Sequence, residues 1–205
     1  SQLLRSGNTT TSASSDYTVK IDVRELAAGT EYFYRFRAGT VYSPIGRGKT
    51  LPEGDVSQVK LAVFSCSNYP AGYFHVYAAA ALINGLDASI HLGDYIYEYG
   101  AGGYASEDAQ AMGRVVQPAT EILTLADYRQ RYAQYRTDQA LQQIHAAAPF
   151  IAVWDDHEIT NDAWRDGAEN HQSDEGDYTE RKMAALRAYF EWMPIRPVAT
   201  GDNET

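Results

Sequence analysis

A single cysteine in 205 residues, Cys66, excludes an internal disulfide framework and leaves one free thiol to be accounted for. Long apolar runs are missing too: none approaches the ~18 residues that a membrane-spanning helix needs. No secretory leader stands at residue 1, although a trimmed chain would have lost one. Basic residues are scarce, with 17 Lys and Arg against 27 Asp and Glu, a net charge of −10. That balance argues against a nucleic-acid surface, which needs clustered cations to neutralise phosphates, and suits cationic ligands such as metal ions. Histidine is scarce as well: there are five, and none follows His171. No internal repeat is visible.

What is present is tyrosine, 16 of them, and a change of rhythm along the chain. Ser6 to Ser15 is polar and reads as a loop. Tyr17, Val19, Ile21 and Val23 alternate with polar residues, which predicts a half-buried strand. A second strand is expected around Tyr32, Tyr34 and Phe36, with Arg35 and Arg37 facing the other way, and a third short segment ends near Thr50. The placing of Leu26, Thr30 and Tyr32 is similar to the tyrosine corner of fibronectin type III and immunoglobulin-like sandwiches. Three strands cannot close a sandwich, so residues 1–51 are expected to be part of a β-sandwich domain, joined by a linker over Leu51–Gln58.

From Val59 the pattern becomes strand–helix alternation, which predicts a mainly parallel sheet. Buried strands are expected at Val59–Ser65, Ala88–Leu92 and Pro149–Trp154. Helical spacing at Phe74, Tyr77, Ala78, Ala81 and Leu82 predicts a helix capped by Gly85. Glu98–Glu121 is Gly-rich, long and irregular, a candidate active-site flap. Thr124 with Asp127 predicts a helix start, and the stripe Tyr128, Tyr132, Tyr135 continues less regularly to Leu141 and Ile144. A final helix carries Met183, Leu186, Phe190 and Met193 on one face, preceded by Asp174, Glu175 and Asp177 as a solvated acidic surface.

Three groups of reactive residues follow the three expected strands: Cys66, then Asp94 with Tyr97, then Asp155-Asp156-His157. A parallel sheet brings its strand ends to one edge, where ligands gather in open α/β folds. Thiolate, phenolate, carboxylate and imidazole together make a plausible two-metal site, with a hard trivalent ion on the anionic donors. A calcium ion or another divalent metal would take the oxygen-rich side. Two such ions can clamp a phosphoryl group and generate hydroxide between them. Each residue also has a plainer reading. Tyr97 would be one more core aromatic, Cys66 a small buried hydrophobe, and His157 a capping or core histidine. Asp155 would orient His157 or another ligand, Asn161 and Asp162 would form a turn, and His91 would be a satisfied core histidine. Arg131, Arg136 and Arg196 each stand as candidates to reach a phosphate, and no spacing selects among them.

Gly93-Asp94-x-x-Tyr97 resembles the metal motif of the calcineurin-like metallophosphoesterases, in the tyrosine form shared with purple acid phosphatases. Asp155-Asp156-His157-Glu158 stands where that superfamily carries Gly-Asn-His-Glu, and Cys66 replaces its opening aspartate. With Trp154-Asp155-Asp156-His157-Glu158-x-x-Asn161-Asp162 and the sandwich fragment, the chain resembles the PhoD-like alkaline phosphatases and phosphodiesterases from about Tyr17 to Pro197. The resemblance implies an α/β fold of metallophosphoesterase type, a layered sheet with helices over residues 59–205, preceded by the partial fibronectin III/immunoglobulin-like sandwich. It implies hydrolysis of phosphate monoesters or phosphodiesters by hydroxide attack at an iron(III) and calcium site. Cys66, Asp94 and Tyr97 match the iron-side ligands, Asp94 bridging; Asp156 matches a ligand of the second metal, and His157 the group near the phosphate and leaving oxygen. It also implies a secreted, periplasmic or envelope-associated protein exported folded by the twin-arginine route.

Two departures accompany it. Asn68 stands where many relatives carry a metal-binding histidine, and the late histidine motifs expected well after Glu158 are not found. The chain is therefore expected to be the amino-terminal part of a longer protein, aggregation-prone, weak in metal binding and poorly active by itself. A calcium- or envelope-binding module without turnover, and a hydrolase using Cys66 as nucleophile, are the competing functional classes.

Overall fold

The computed structural model describes residues 3–196, so residues 197–205 of the expected 59–205 domain lie outside it. Short antiparallel pairs come first. Strand β1 (Glu31–Tyr34) lies beside β4 (Gly46–Lys49), and between them β2 (Arg37–Ala38) and β3 (Val41–Tyr42) form a hairpin. The Tyr32 hydroxyl accepts a hydrogen bond from the Ala27 amide at 2.9 Å, the back-reaching contact expected of a tyrosine corner. Among the described residues no second sheet covers these strands, and Phe33, Tyr34, Phe36 and Tyr42 remain exposed.

Tyr17–Val23 is not a strand. Alternation marks a face but does not supply a pairing partner, and here Lys20 and the residues just before the segment are tied to the helical part instead. The Ser14 carbonyl accepts from Arg129 at 3.0 Å and Arg187 at 2.7 Å, Asp16 accepts from the Trp192 indole at 2.9 Å, and Lys20 donates to the Phe190 and Ile195 carbonyls. The segment is a strap tied to helical side chains.

The α/β part holds β5 (Leu61–Phe64), helix α1 (His75–Ala81), β6 (Ala88–His91), α2 (Ala109–Met112), α3 (Leu125–Tyr135), α4 (Gln139–Ala147), β7 (Phe150–Ala152) and α5 (Tyr178–Trp192). The three strands form a parallel sheet in the order β5-β6-β7, with Val63, Ile90 and Ile151 in register. Thr124 and Asp127 cap α3 reciprocally, as the sequence predicts. The long stripe is broken, however: Arg136–Asp138 interrupt it, and the Asp138 carboxylate starts α4 by accepting from the Leu141 amide at 3.1 Å. That interruption explains why the periodicity loosens after Tyr135. Helix α1 ends at Ala81 with Leu82 as its cap, and Gly85 (φ +70°) serves the following turn instead.

One sheet face is covered. Phe64 packs edge-on against Tyr77 of α1 at 4.7 Å between ring centroids, and His145 of α4 stacks on Phe150 at 3.9 Å. Beneath them Tyr95, Tyr128, Tyr132, Tyr135, Leu141 and Ile144 are fully or almost fully buried. The strands are not buried on both faces, as their apolar composition suggests. Leu61, Val63, Leu92, Ile151 and Val153 are each at least half exposed, and nothing among the described residues covers them. The acidic stretch before α5 is only partly a solvated surface. Asp177 caps α5 by accepting from the Glu180 amide at 3.0 Å, and Glu175 pairs with Arg181 at 3.3 Å.

A candidate metal centre at the strand ends

The sheet places all three reactive groups at its carboxyl edge. Beyond the strands, the first two loops stay zipped: the Cys66 amide donates to the Gly93 carbonyl at 3.1 Å and the Ser67 amide to the Asp94 carbonyl at 2.8 Å. Cys66 (φ +59°) and Asp94 (φ +55°) both sit in the left-handed region, which non-glycine residues adopt at a cost of about 1–3 kcal/mol and which recurs at functional sites. Gly93 (φ +109°) has no alternative, because a Cβ there would stand 2.5 Å from the Asp155 backbone nitrogen. The second and third loops therefore touch backbone to backbone.

Asp94 is the meeting point. Its Oδ2 lies 3.2 Å from the Cys66 Sγ and 3.2 Å from the Tyr97 hydroxyl, both of which donate to it. Asp94, Asp156 and His157 offer ligand atoms all within 4.8 Å of one another. Burial, with Asp94 and Cys66 close by, pushes the Tyr97 phenol far above the ordinary ~10. A phenolate at this position thus needs a strong cation. The Asp94 Oδ1 is buried with no hydrogen-bond partner, a state that a carboxylate oxygen avoids unless it faces a cation. Orphaned oxygen, thiol, phenol, second carboxylate and imidazole form a donor set that fits metal ions.

Two buried carboxylates frame these residues, and sequence reading assigned neither a role. Glu158 accepts from the amides of Asp94 (3.0 Å), Tyr95 (2.6 Å) and Asp155 (2.8 Å), so one side chain clamps the β6 and β7 loops together. Burial raises its pKa to about 7, against the three amides, which pull it down. Glu98, fully buried, accepts from His157 Nδ1 at 2.8 Å, from the Asn161 amide at 2.8 Å and from Asn170 Nδ2 at 2.8 Å. Burial depresses the His157 pKa, but the hydrogen bond and charge of Glu98 outweigh it and the net shift is upward. Asn170 also reaches Glu121 at 3.1 Å, which pairs with the buried Arg181 of α5 at 2.7 Å. The only hint of Glu98 in the sequence is its place directly after Tyr97.

Other candidates resolve differently. Asp155 does not orient His157; its Oδ1 accepts from the Asp156 amide at 3.0 Å. Asp162 (φ +49°) turns the chain so that its amide donates to Asp156, while Asn161 bonds Glu169 at 2.9 Å. His91 is a core histidine, its Nε2 2.9 Å from both Ser67 and Tyr77 hydroxyls, and burial lowers its pKa to about 4. Asn68 turns to the flap and donates to the Tyr104 carbonyl at 2.9 Å. Each of the three arginines has a partner. Arg131 is buried against the Tyr97, Gln117 and Pro118 carbonyls, Arg136 donates to the Trp192 carbonyl at 2.7 Å, and Arg196 pairs with Asp22 at 3.0 Å.

A parallel α/β sheet with hard anionic donors on its carboxyl edge describes a class of metal-centred proteins. Within it, the chain belongs to the PhoD-like phosphatase family, whose domain model matches residues 61–205 and whose amino-terminal domain model matches residues 1–52. It is 40% identical over 197 residues to alkaline phosphatase D of Bacillus subtilis (strain 168), a match spanning 95% of this chain and 33% of that protein. A solved structure described as "Structure of PhoD" superposes with a TM-score of 0.74 at 39% identity, covering 85% of this chain and 33% of the other. The chain thus spans about a third of the length of these relatives. No helix among the described residues is long and apolar enough to cross a membrane.

Proposed function

We propose that the protein is a metal-dependent phosphoester hydrolase acting on phosphate monoesters, phosphodiesters or both. The observation that carries this reading is the convergence of Cys66 and Tyr97 on Asp94 Oδ2, with the buried Oδ1 left without a donor and Asp156 and His157 beside it. In this proposal Cys66, Asp94 and Tyr97 hold iron(III), and Asp94 with Asp156 holds calcium or a comparable divalent ion. Such a pair of ions supplies hydroxide at neutral pH and neutralises charge on the phosphoryl group. The remaining work falls to the chain. Glu98 holds His157 through Nδ1, which leaves Nε2 to face the leaving oxygen and give it a proton. Glu158 and Gly93 keep the two loops in register, and the Tyr97 and Tyr99 rings pack against the imidazole, with centroids 4.2 and 5.6 Å away.

The same proposal includes the finer architecture: residues 1–51 as part of a sandwich domain, 59–205 as the amino-terminal part of the catalytic domain, and a working place outside the cytoplasm. The exposed sheet face supports the view that further chain completes the fold. The test is metal analysis by X-ray fluorescence together with hydrolysis of 4-nitrophenyl phosphate and bis(4-nitrophenyl) phosphate by the full-length protein. Bound iron, loss of turnover on chelation, and background activity in Asp94→Asn are expected. Activity that survives chelation but is lost on thiol alkylation would instead identify Cys66 as a nucleophile. Calcium binding without turnover would indicate a binding module.

A further inference from the structure

We infer that Tyr104, on the flap, determines substrate specificity by stacking against an aromatic leaving group; the inference rests on the phosphoesterase reading above. A ladder of rings runs out of the site. The His157 imidazole lies 4.2 Å from the Tyr97 ring at an interplanar angle of 30°, and Tyr97 in turn lies 6.4 Å from Tyr104 at 20°. Tyr99 flanks the outer ring at 6.0 Å and 49°. Near-parallel planes at such spacing are offset, which leaves much of the outermost ring free to meet a further aromatic group, and Tyr104 is 62% exposed.

The ring is placed rather than merely left outside. Asn68, two residues beyond Cys66, donates to the Tyr104 carbonyl at 2.9 Å and so ties the flap to the metal-side loop. Gly103 admits the close approach, because a Cβ there would stand 2.7 Å from the Tyr99 Cβ. Ser106 closes the turn by donating to the Gly103 carbonyl at 2.7 Å. Asn68 is thus a positioning residue for Tyr104.

The charges nearby narrow the ligand. Arg131 and Arg114 are committed to internal carbonyls and, for Arg114, to Asp138 at 2.7 Å. Both are buried, so neither offers an exposed charge to a second anionic group, whereas the Tyr104 π-face is exposed. An ester whose departing oxygen lies toward His157 Nε2 would extend its aryl group along the ladder to Tyr104. The gain expected from one such stacked ring is about tenfold in affinity, which corresponds to about 1.4 kcal/mol.

The experiment compares phenylphosphonate with methylphosphonate, neither of them hydrolysable, by calorimetry on the metal-loaded full-length protein, alongside kinetics on 4-nitrophenyl phosphate and glycerol phosphate. About tenfold tighter binding of phenylphosphonate is expected, lost in Tyr104→Ala and kept in Tyr104→Phe. In parallel, Tyr104→Ala should raise KM for 4-nitrophenyl phosphate about tenfold while leaving kcat and KM for glycerol phosphate within about twofold. Equal binding of the two phosphonates by the unaltered protein, or a preference that persists in Tyr104→Ala, overturns the inference. So does an equal loss on both substrates, which would make Tyr104 a flap prop. Should the phenyl preference depend on Tyr104 while neither ester is hydrolysed, the stacking site stands and the phosphoesterase reading falls.

Discussion

The hairpin region and the α/β region that follows it are both rich in aromatic residues, yet they treat them in opposite ways. Phe33, Tyr34, Phe36 and Tyr42 of the hairpins remain largely exposed, whereas Tyr128, Tyr132 and Tyr135 are completely buried. The difference lies in where the covering layer comes from. In the α/β region α1 and α4 return onto the same sheet face and α5 packs on α3 behind them, so local pattern and local partner coincide. In the hairpin region alternation specifies a face but no neighbouring segment covers it. The two regions meet through Arg47, which donates to the Leu86 and Ala147 carbonyls at 2.8 and 3.0 Å and pairs with Glu31 at 2.6 Å. Polar networks inside the α/β region should therefore matter more than any contact within the hairpins.

The sharpest test of that contrast is Glu158→Ala. It strands two buried amides and a half-buried one, and a loss of about 4 kcal/mol in unfolding free energy is expected by urea denaturation, with metal content falling alongside. A loss below about 1 kcal/mol would mean that water replaces the clamp.

Next in size is Glu98→Gln, which keeps the shape but removes the charge facing His157. Activity should fall about 100-fold, the low end of what a positioned general acid contributes. The pH response carries a sign. The folded His157 pKa lies above the ordinary 6.5, so the stability it contributes in the metal-free protein is full below 6.5 and is lost as pH rises through the folded value. Unfolding titrations should show this decline in the parent and not in Glu98→Gln; identical curves would break the assignment.

Smaller in stability, though not in spectrum, is Tyr97→Phe. The ring is kept, so unfolding should shift by no more than about 1.5 kcal/mol, while any visible phenolate-to-iron absorption disappears. An unchanged spectrum in an iron-loaded, coloured protein would remove Tyr97 from the ligand set. Cys66→Ser should likewise lose iron, an alcohol being the poorer anionic donor.

The smallest effect belongs to the hairpins. Tyr32→Phe deletes one exposed hydrogen bond to Ala27 and should cost about 1 kcal/mol or less, with turnover untouched. A global loss of stability or activity would show that the hairpin region and the sheet fold as one unit, contrary to the contrast drawn above.

Much of the α/β layout is legible in the sequence because its signals are short-range. Apolar runs ending at Cys66, Gly93 and Asp155, and the capping pair Thr124 and Asp127, need no knowledge of partners. The clustering of Asp94, Asp156 and His157 follows from parallel strand ends alone. What stayed hidden depends on residues far apart in the chain. Glu98 and Glu158 are ordinary acids until their donors are known, and most of those donors come from other loops. Arg131, Arg136 and Arg196 look available to a phosphate until the carbonyls and carboxylate that occupy them are seen. Tyr17–Val23 alternates like a strand, yet Ser14, Asp16 and Lys20 tie the segment to α3 and α5.

The Glu158 clamp has a mechanical consequence. Because one carboxylate holds amides from both loops, the gap between Asp94 and Asp156 is measured out by a single side chain of fixed length, with Gly93 pressed against Asp155 as a stop. Such a frame resists both widening and narrowing. Were metal ions to sit between Asp94 and Asp156, as proposed above, that frame would sort them by radius as well as by charge, through a residue outside the ligand set.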